Sequence, residues 1–210
     1  MALVDPDVTN RKLDHEIELW NEHADEYRRR GWLLLERRGL RVDVGFLAEI
    51  PLGPQSLTAM TACVRFDFAD YDLSPPSVEF IDPITGEYAT PIVPAVMPTD
   101  EGPRNMLVGS HPETDRPFFC VPGVRQYHDH PQHSGDSWLL HRANREGSLV
   151  GICDRIWRSM ARSVLGLRIG LMTLPAATGQ PGQMEFQVVT GDIDALLAGI
   201  PILPGAQASQ

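Results

Sequence analysis

A cysteine followed by a cluster of imidazoles is the stretch of this sequence best equipped for chemistry. Cys120 closes the apolar pair Phe118-Phe119, and His128, His130 and His133 follow it in an H-x-H-x-x-H spacing. With His141 eight residues further on, four of the chain's seven histidines fall within fourteen residues. Thiol and imidazole are the groups that attack carbonyls, move protons or hold a soft metal near neutral pH. Cys120 reads either as a nucleophile or as a buried thiol at a strand end, and its apolar context suits both.

Two uses of the histidines compete. Beside a nucleophilic Cys120, His128 and His130 would supply an imidazolium that lowers the thiol pKa, or would carry a proton to or from an incoming amine. As metal ligands, His128 and His130 would point to one side of an extended segment, and His133 would close round through the Pro131 turn. Three histidines with Cys120 or a water suit tetrahedral zinc, with Asp129 or Asp136 as a supporting carboxylate. No paired C-x-x-C reinforces the zinc reading. A thiolate held by zinc is a poor acyl acceptor, so the two uses exclude each other at Cys120. Tyr127 and Trp138 read as packing residues.

The elements that must position this loop follow from periodicity. Residues 9–30 repeat Leu13, Ile17, Trp20, Ala24 and Tyr27 at helical spacing and end at Gly31, which predicts one amphipathic helix with His15 and His23 as bystanders. Strands are predicted over 32–36 and 40–44 about Gly39, over 58–68 after a turn at 51–54, and over 77–81. Helix followed by strand meander is an α+β pattern rather than βαβ alternation. Residues 82–105, rich in Pro, Gly and Thr, read as a long irregular connection with a short hairpin about Thr85-Gly86. Residues 148–165 carry a second helical stripe of Leu149, Ile152, Ile156, Trp157, Met160 and Val164. Cys63 and Cys153 read as inert buried thiols. A strand pair over 167–173 and 184–189, a short helix over 192–197 and a disordered tail over 201–210 complete the expectation.

Composition narrows the function. A formal net charge of -10 over 210 residues argues against nucleic acid, whose phosphates need clustered Lys and Arg. Three cysteines without framework spacing suit a reducing compartment, and no stretch reads as a secretory signal or a membrane span. The expected setting is cytoplasmic, without nucleic-acid or membrane partners.

Two motifs carry a resemblance. Tyr71-Asp72-Leu73-Ser74-Pro75-Pro76-Ser77-Val78-Glu79-Phe80 is similar to the double-proline segment of the ubiquitin-conjugating enzyme family, and His111-Pro112-Glu113 resembles that family's His-Pro-Asn. Cys120 follows His111 by nine residues, and Trp138 resembles the tryptophan after the family's catalytic cysteine. Over residues 10–165 the chain resembles a divergent prokaryotic member with a His-rich loop after the cysteine. The resemblance implies an α+β ubiquitin-conjugating-like domain over 1–166, with its His-rich loop at 120–141, followed by an extension over 167–200. Cys120 would carry a ubiquitin-like protein as a thioester, received from its activating enzyme and passed to an amine. His128 or His130 would assist, His111 would join them at the site, and Tyr71, Pro75, Pro76, Pro112 and Trp138 would be structural. The face of residues 9–30 would meet the activating enzyme. The alternatives are a zinc protein of the same fold using His128, His130 and His133, and an inactive scaffold that binds the modifier. Glu113 departs from the family asparagine thought to stabilise the oxyanion, and the connections on both sides of Cys120 are longer than the family's.

Overall fold

The computed structural model describes residues 3–52, 54–91, 93–99, 102–162, 164–172 and 183–190. Its frame is a four-stranded antiparallel sheet in the order β1-β2-β3-β4, with β1 over Trp32–Arg38, β2 over Arg41–Leu52, β3 over Gln55–Asp67 and β4 over Ser77–Phe80. The fold class is α+β, as the sequence implies. Along β2, alternate residues Val42, Val44, Phe46, Ala48 and Ile50 are buried, as are Ala62, Val64 and Phe66 on β3. Each such large side chain contributes about 1.5–3 kcal/mol by leaving water. A bulge between Phe46 and Leu47 skips Thr61, whose buried hydroxyl donates to the Phe46 carbonyl at 3.2 Å. β2 and β3 run longer than predicted, because the turn at 51–54 is only the tip of a ladder that continues to Leu52 opposite Gln55.

Helices cover the inner face of the sheet. The single helix expected over 9–30 is two, α1 over Pro6–Glu22 and α2 over Ala24–Arg29, broken at His23. Asp5 caps α1 through the Asp7 N–H, and Thr9, Leu13, Glu16 and Trp20 form its buried stripe. The break lets Tyr27 stack on Trp32 at 4.9 Å and 14° beside Trp20. The helix expected over 148–165 is shorter too. α5, which completes the core, spans Leu149–Ile156 and ends in a wider π turn over Trp157–Ala161. Val164 already opens a strand, β9 over Val164–Met172, which pairs with β10 over Gln183–Thr190. The expected helix over 192–197 and the tail lie outside the described residues.

Between sheet and α5 runs the segment that carries the site. A turn at Gly86 closes an Ile81–Tyr88 bridge, matching the hairpin expected at Thr85-Gly86. The connection expected to be otherwise irregular holds a hairpin, β5 over Val96–Thr99 with β6 over Gly102–Asn105. β7 over Leu107–Val108 then pairs with β8 over Phe118–Phe119, which ends at Cys120. Four short helical pieces follow: α3 over Arg125–Asp129, a 3-10 turn over Pro131–His133, α4 over Trp138–His141 and a further 3-10 turn over Arg142–Asn144. No helix among the described residues is long and apolar enough to cross a membrane.

Candidate active site

The loop that follows Cys120 is pinned before it is shaped. Gly123 sits at φ +88°, and a Cβ there would lie 2.4 Å from the Glu146 carbonyl carbon and oxygen, so only glycine lets these strands of backbone touch. Across the same neck, a Cβ on Gly147 would meet the Trp138 ring at 2.6 Å. The double-proline segment holds the next stretch: the Arg125 N–H donates to the Pro76 carbonyl at 2.9 Å, and its guanidinium donates to the carbonyls of Pro75 and Ala69. Gln126 accepts the Val78 N–H at 3.1 Å, and the Trp138 indole N–H donates to the Asp72 carbonyl at 2.9 Å. Tyr71, buried, donates its hydroxyl to Glu16. Tyr71, Pro75, Pro76 and Trp138 are thus the loop's mooring.

Within that frame Cys120 is half-buried, and its sulfur lies 3.5 Å from Nε2 of His133. His133 is held by Tyr127, whose ring stacks on it at 3.9 Å and 21°. The Tyr127 hydroxyl donates to Asp136 Oδ2 at 2.7 Å. Burial, with the Asp136 hydrogen bond second, pushes that phenol up to about 12. The expected imidazolium beside the thiol is not what this environment favours. Burial pushes the Cys120 thiol above its ordinary value, against an opposing pull from Arg104. Burial, then the neighbouring His130, pushes His133 below its ordinary value. At neutral pH these shifts favour a thiol beside a neutral imidazole, with Sγ and Nε2 within hydrogen-bonding distance.

The other histidines have different employment. His128 and His130 do not lie on an extended segment: His128 is inside α3, and His130 caps the 3-10 turn. His128 accepts the Gly123 N–H on Nε2 at 3.1 Å and meets the Asp136 carbonyl through Nδ1 at 2.8 Å, which fixes its proton on Nδ1 and leaves neither nitrogen free. The role of proton shuttle or metal ligand assigned to it does not fit this geometry. His130 accepts the Gln132 N–H on Nδ1, lies over Phe118 at 5.5 Å and leans on His133 at 5.7 Å. His111 is 2% exposed; Nδ1 accepts the Glu113 N–H at 3.3 Å, and Nε2 is buried without a hydrogen-bond partner among the described residues. Its ring packs against Phe118 and His130, so it braces the site from behind. Pro112 and Glu113 are exposed on its turn. Among the described residues no three His, Cys, Asp or Glu side chains converge closely enough to hold a metal ion.

Three residues play parts other than those the sequence suggests, His133 and Asp136 beyond a metal set and Tyr127 beyond packing. His133, assigned only to a metal set, is the imidazole that faces the thiol. Asp136 is the hub of the loop: besides Tyr127 it takes the His141 Nε2–H on Oδ1 at 2.6 Å, while Glu146 takes the His141 Nδ1–H at 2.9 Å. Those two bonds raise the His141 pKa, that to Asp136 more than that to Glu146, and the His141 and Tyr127 bonds in turn lower that of Asp136. Neither Tyr127 nor Asp136 carries a local signal, because the contact is made by a turn in between.

The Y4jH-like family (Y4jH family) matches residues 4–114 and 102–164, a span that takes in Cys120 and the loop as far as α5. The uncharacterized protein y4jH of Sinorhizobium fredii (strain NBRC 101917 / NGR234) is 37% identical over 178 residues, covering 74% of this chain and 83% of that protein.

Proposed function

The chain belongs to the Y4jH-like family, and we propose that it is a ubiquitin-conjugating-type acyl transferase in which Cys120 carries a ubiquitin-like protein as a thioester. The observation that carries this reading is the Cys120–His133 pair at 3.5 Å, half-buried at a strand end. The Sγ attacks the thioester carbonyl presented by an activating enzyme while His133 Nε2 takes the thiol proton; a new C–S bond forms, the old one breaks, and the departing thiolate collects the proton. In the second half an amine attacks the Cys120 thioester, the C–N bond forms, and the proton it sheds returns through His133 to the leaving sulfur. Glu113 stands where the resembled family has the asparagine thought to stabilise the oxyanion, and His130, whose Nδ1 accepts the Gln132 N–H, would supply a donor from its Nε2 instead. The zinc alternative requires His128 to surrender one of its two bonds.

The test uses a glycyl-glycine thioester as a minimal acyl donor, followed by intact mass. Wild-type protein should gain one acyl group that hydroxylamine removes, and Cys120→Ala should gain none. In lysate of the source cells with ATP and Mg²⁺, Cys120→Ser should trap a protein adduct that survives dithiothreitol. Acylation of Cys120→Ala at the wild-type rate sinks the assignment.

A further inference from the structure

A hollow of about 600 Å³ opens between α1 and the segment that follows α4, backed by Tyr71 and Trp138. Its lining is cationic in a chain whose formal net charge is -10. Arg11 and Lys12 enter from α1, Arg142 and Arg145 from the far wall. Two carboxylates share the hollow, Glu16 and Asp72, and both are spent on the frame. Glu16, 5% exposed, accepts the Tyr71 hydroxyl at 3.2 Å and the Leu149 N–H at 3.0 Å, and Asp72 is closed by Lys12.

Two guanidiniums, Arg11 and Arg142, have no ion-pair partner among the described residues, and a third, Arg145, has only a long one. Among the described residues Arg11 reaches only the Asp7 carbonyl of its own helix, at 3.3 Å. Arg142 makes no hydrogen bond or ion pair among the described residues and acts on Asp72 only at a distance, while Arg145 forms a long ion pair with Glu16 at 3.8 Å. Arginines so loosely held keep most of their donors for a ligand, and their planar forks match the oxygens of phosphate in pairs. The volume is that of a small-ligand site, and the lining carries a surplus of two positive charges. We propose that this hollow binds a small phosphorylated anion, a diphosphate or a phosphate ester with a second negative group, held between Arg11 on one wall and Arg142 and Arg145 on the other. The site stands apart from the chemistry at Cys120 and does not depend on it.

Titration of pyrophosphate into the full chain by calorimetry, at ionic strength held constant with sodium chloride, decides the matter. Saturable binding of one pyrophosphate per chain is expected. Arg142→Gln, which removes no contact of the fold, should weaken it at least about tenfold, the worth of one charge-assisted fork. Arg11→Gln should weaken it several-fold. Arg29→Gln, an exposed cation on α2, should leave it unchanged. Absence of saturable binding overturns the proposal, as does an equal loss in Arg29→Gln, which would mark simple screening. Arg142-dependent binding of a glutamate-rich peptide with none of pyrophosphate overturns it in favour of a protein partner.

Discussion

His133 and His141 lie eight residues apart in one loop, and their surroundings pull them in opposite directions. His133 is stacked on Tyr127, flanked by His130 and short of water, so its neutral form is favoured. His141 sits between Asp136 and Glu146 and donates from both nitrogens, so its cation is favoured. One imidazole is thereby left neutral beside the thiol, and the other is a charged clasp. Residue type alone assigned neither role; burial and the nearest carboxylate did.

The largest expected effect breaks the comparison at its reactive end. His133→Ala should slow acylation of Cys120 by the thioester probe about a hundredfold, the low end of general-base catalysis. His141→Ala should leave that rate within a few-fold of wild type; equal losses in the two variants would refute the division of roles. The sign of the pH dependence follows from the same shift. His133 titrates below its ordinary value of 6.5 in the folded protein, so the acid limb of the rate should fall below pH 6.5, and any stability it lends is lost only as pH drops through that lowered value.

The clasp gives the next effect. His141 is raised on folding, so its contribution is full below the unfolded value of 6.5 and is lost as pH rises through the folded one. Asp136→Asn should therefore cost more at pH 6 than at pH 9, on the order of 1 kcal/mol at the lower pH for a partly exposed pair, read from urea unfolding. A cost that grows with pH would assign the clasp to a neutral His141. The smallest change sharpens the line between the two ends. Tyr127→Phe keeps the ring on His133 and removes only the 2.7 Å hydroxyl bond, so stability should fall by about 1 kcal/mol while acylation stays near wild type.

The sheet was legible because its code is short-range. Alternation in residues 58–68, the Gly39 turn and the double proline each act within a few residues, and the strand pair after α5 formed where the pattern put it. Cys63 and Cys153 are buried as their apolar neighbours implied. The loop was legible in composition and not in geometry. α3 is five residues long, too short for any periodicity to register, and it is moored by Arg125 and Gln126 to partners about fifty residues back. Placing His128 in a helix rather than a strand turned it away from the role that alternation would have given it. His133 meets Cys120 only because the 3-10 turn brings it under Tyr127, a contact that no spacing rule encodes. The thiol's raised pKa is likewise a property of what surrounds the sulfur, and the His-rich composition pointed the other way.

The neck at Gly123 and Gly147 has a consequence for how such a protein changes over time. Chain that leaves and re-enters the body at one point can be lengthened, shortened or rewritten without moving the strands beneath it, since the entropic cost of a longer closed loop grows only logarithmically. The reactive repertoire is thus a cassette: its imidazoles are open to replacement by drift or by graft, so long as the two glycines, the arginine hook at Arg125 and the indole anchor at Trp138 are left in place.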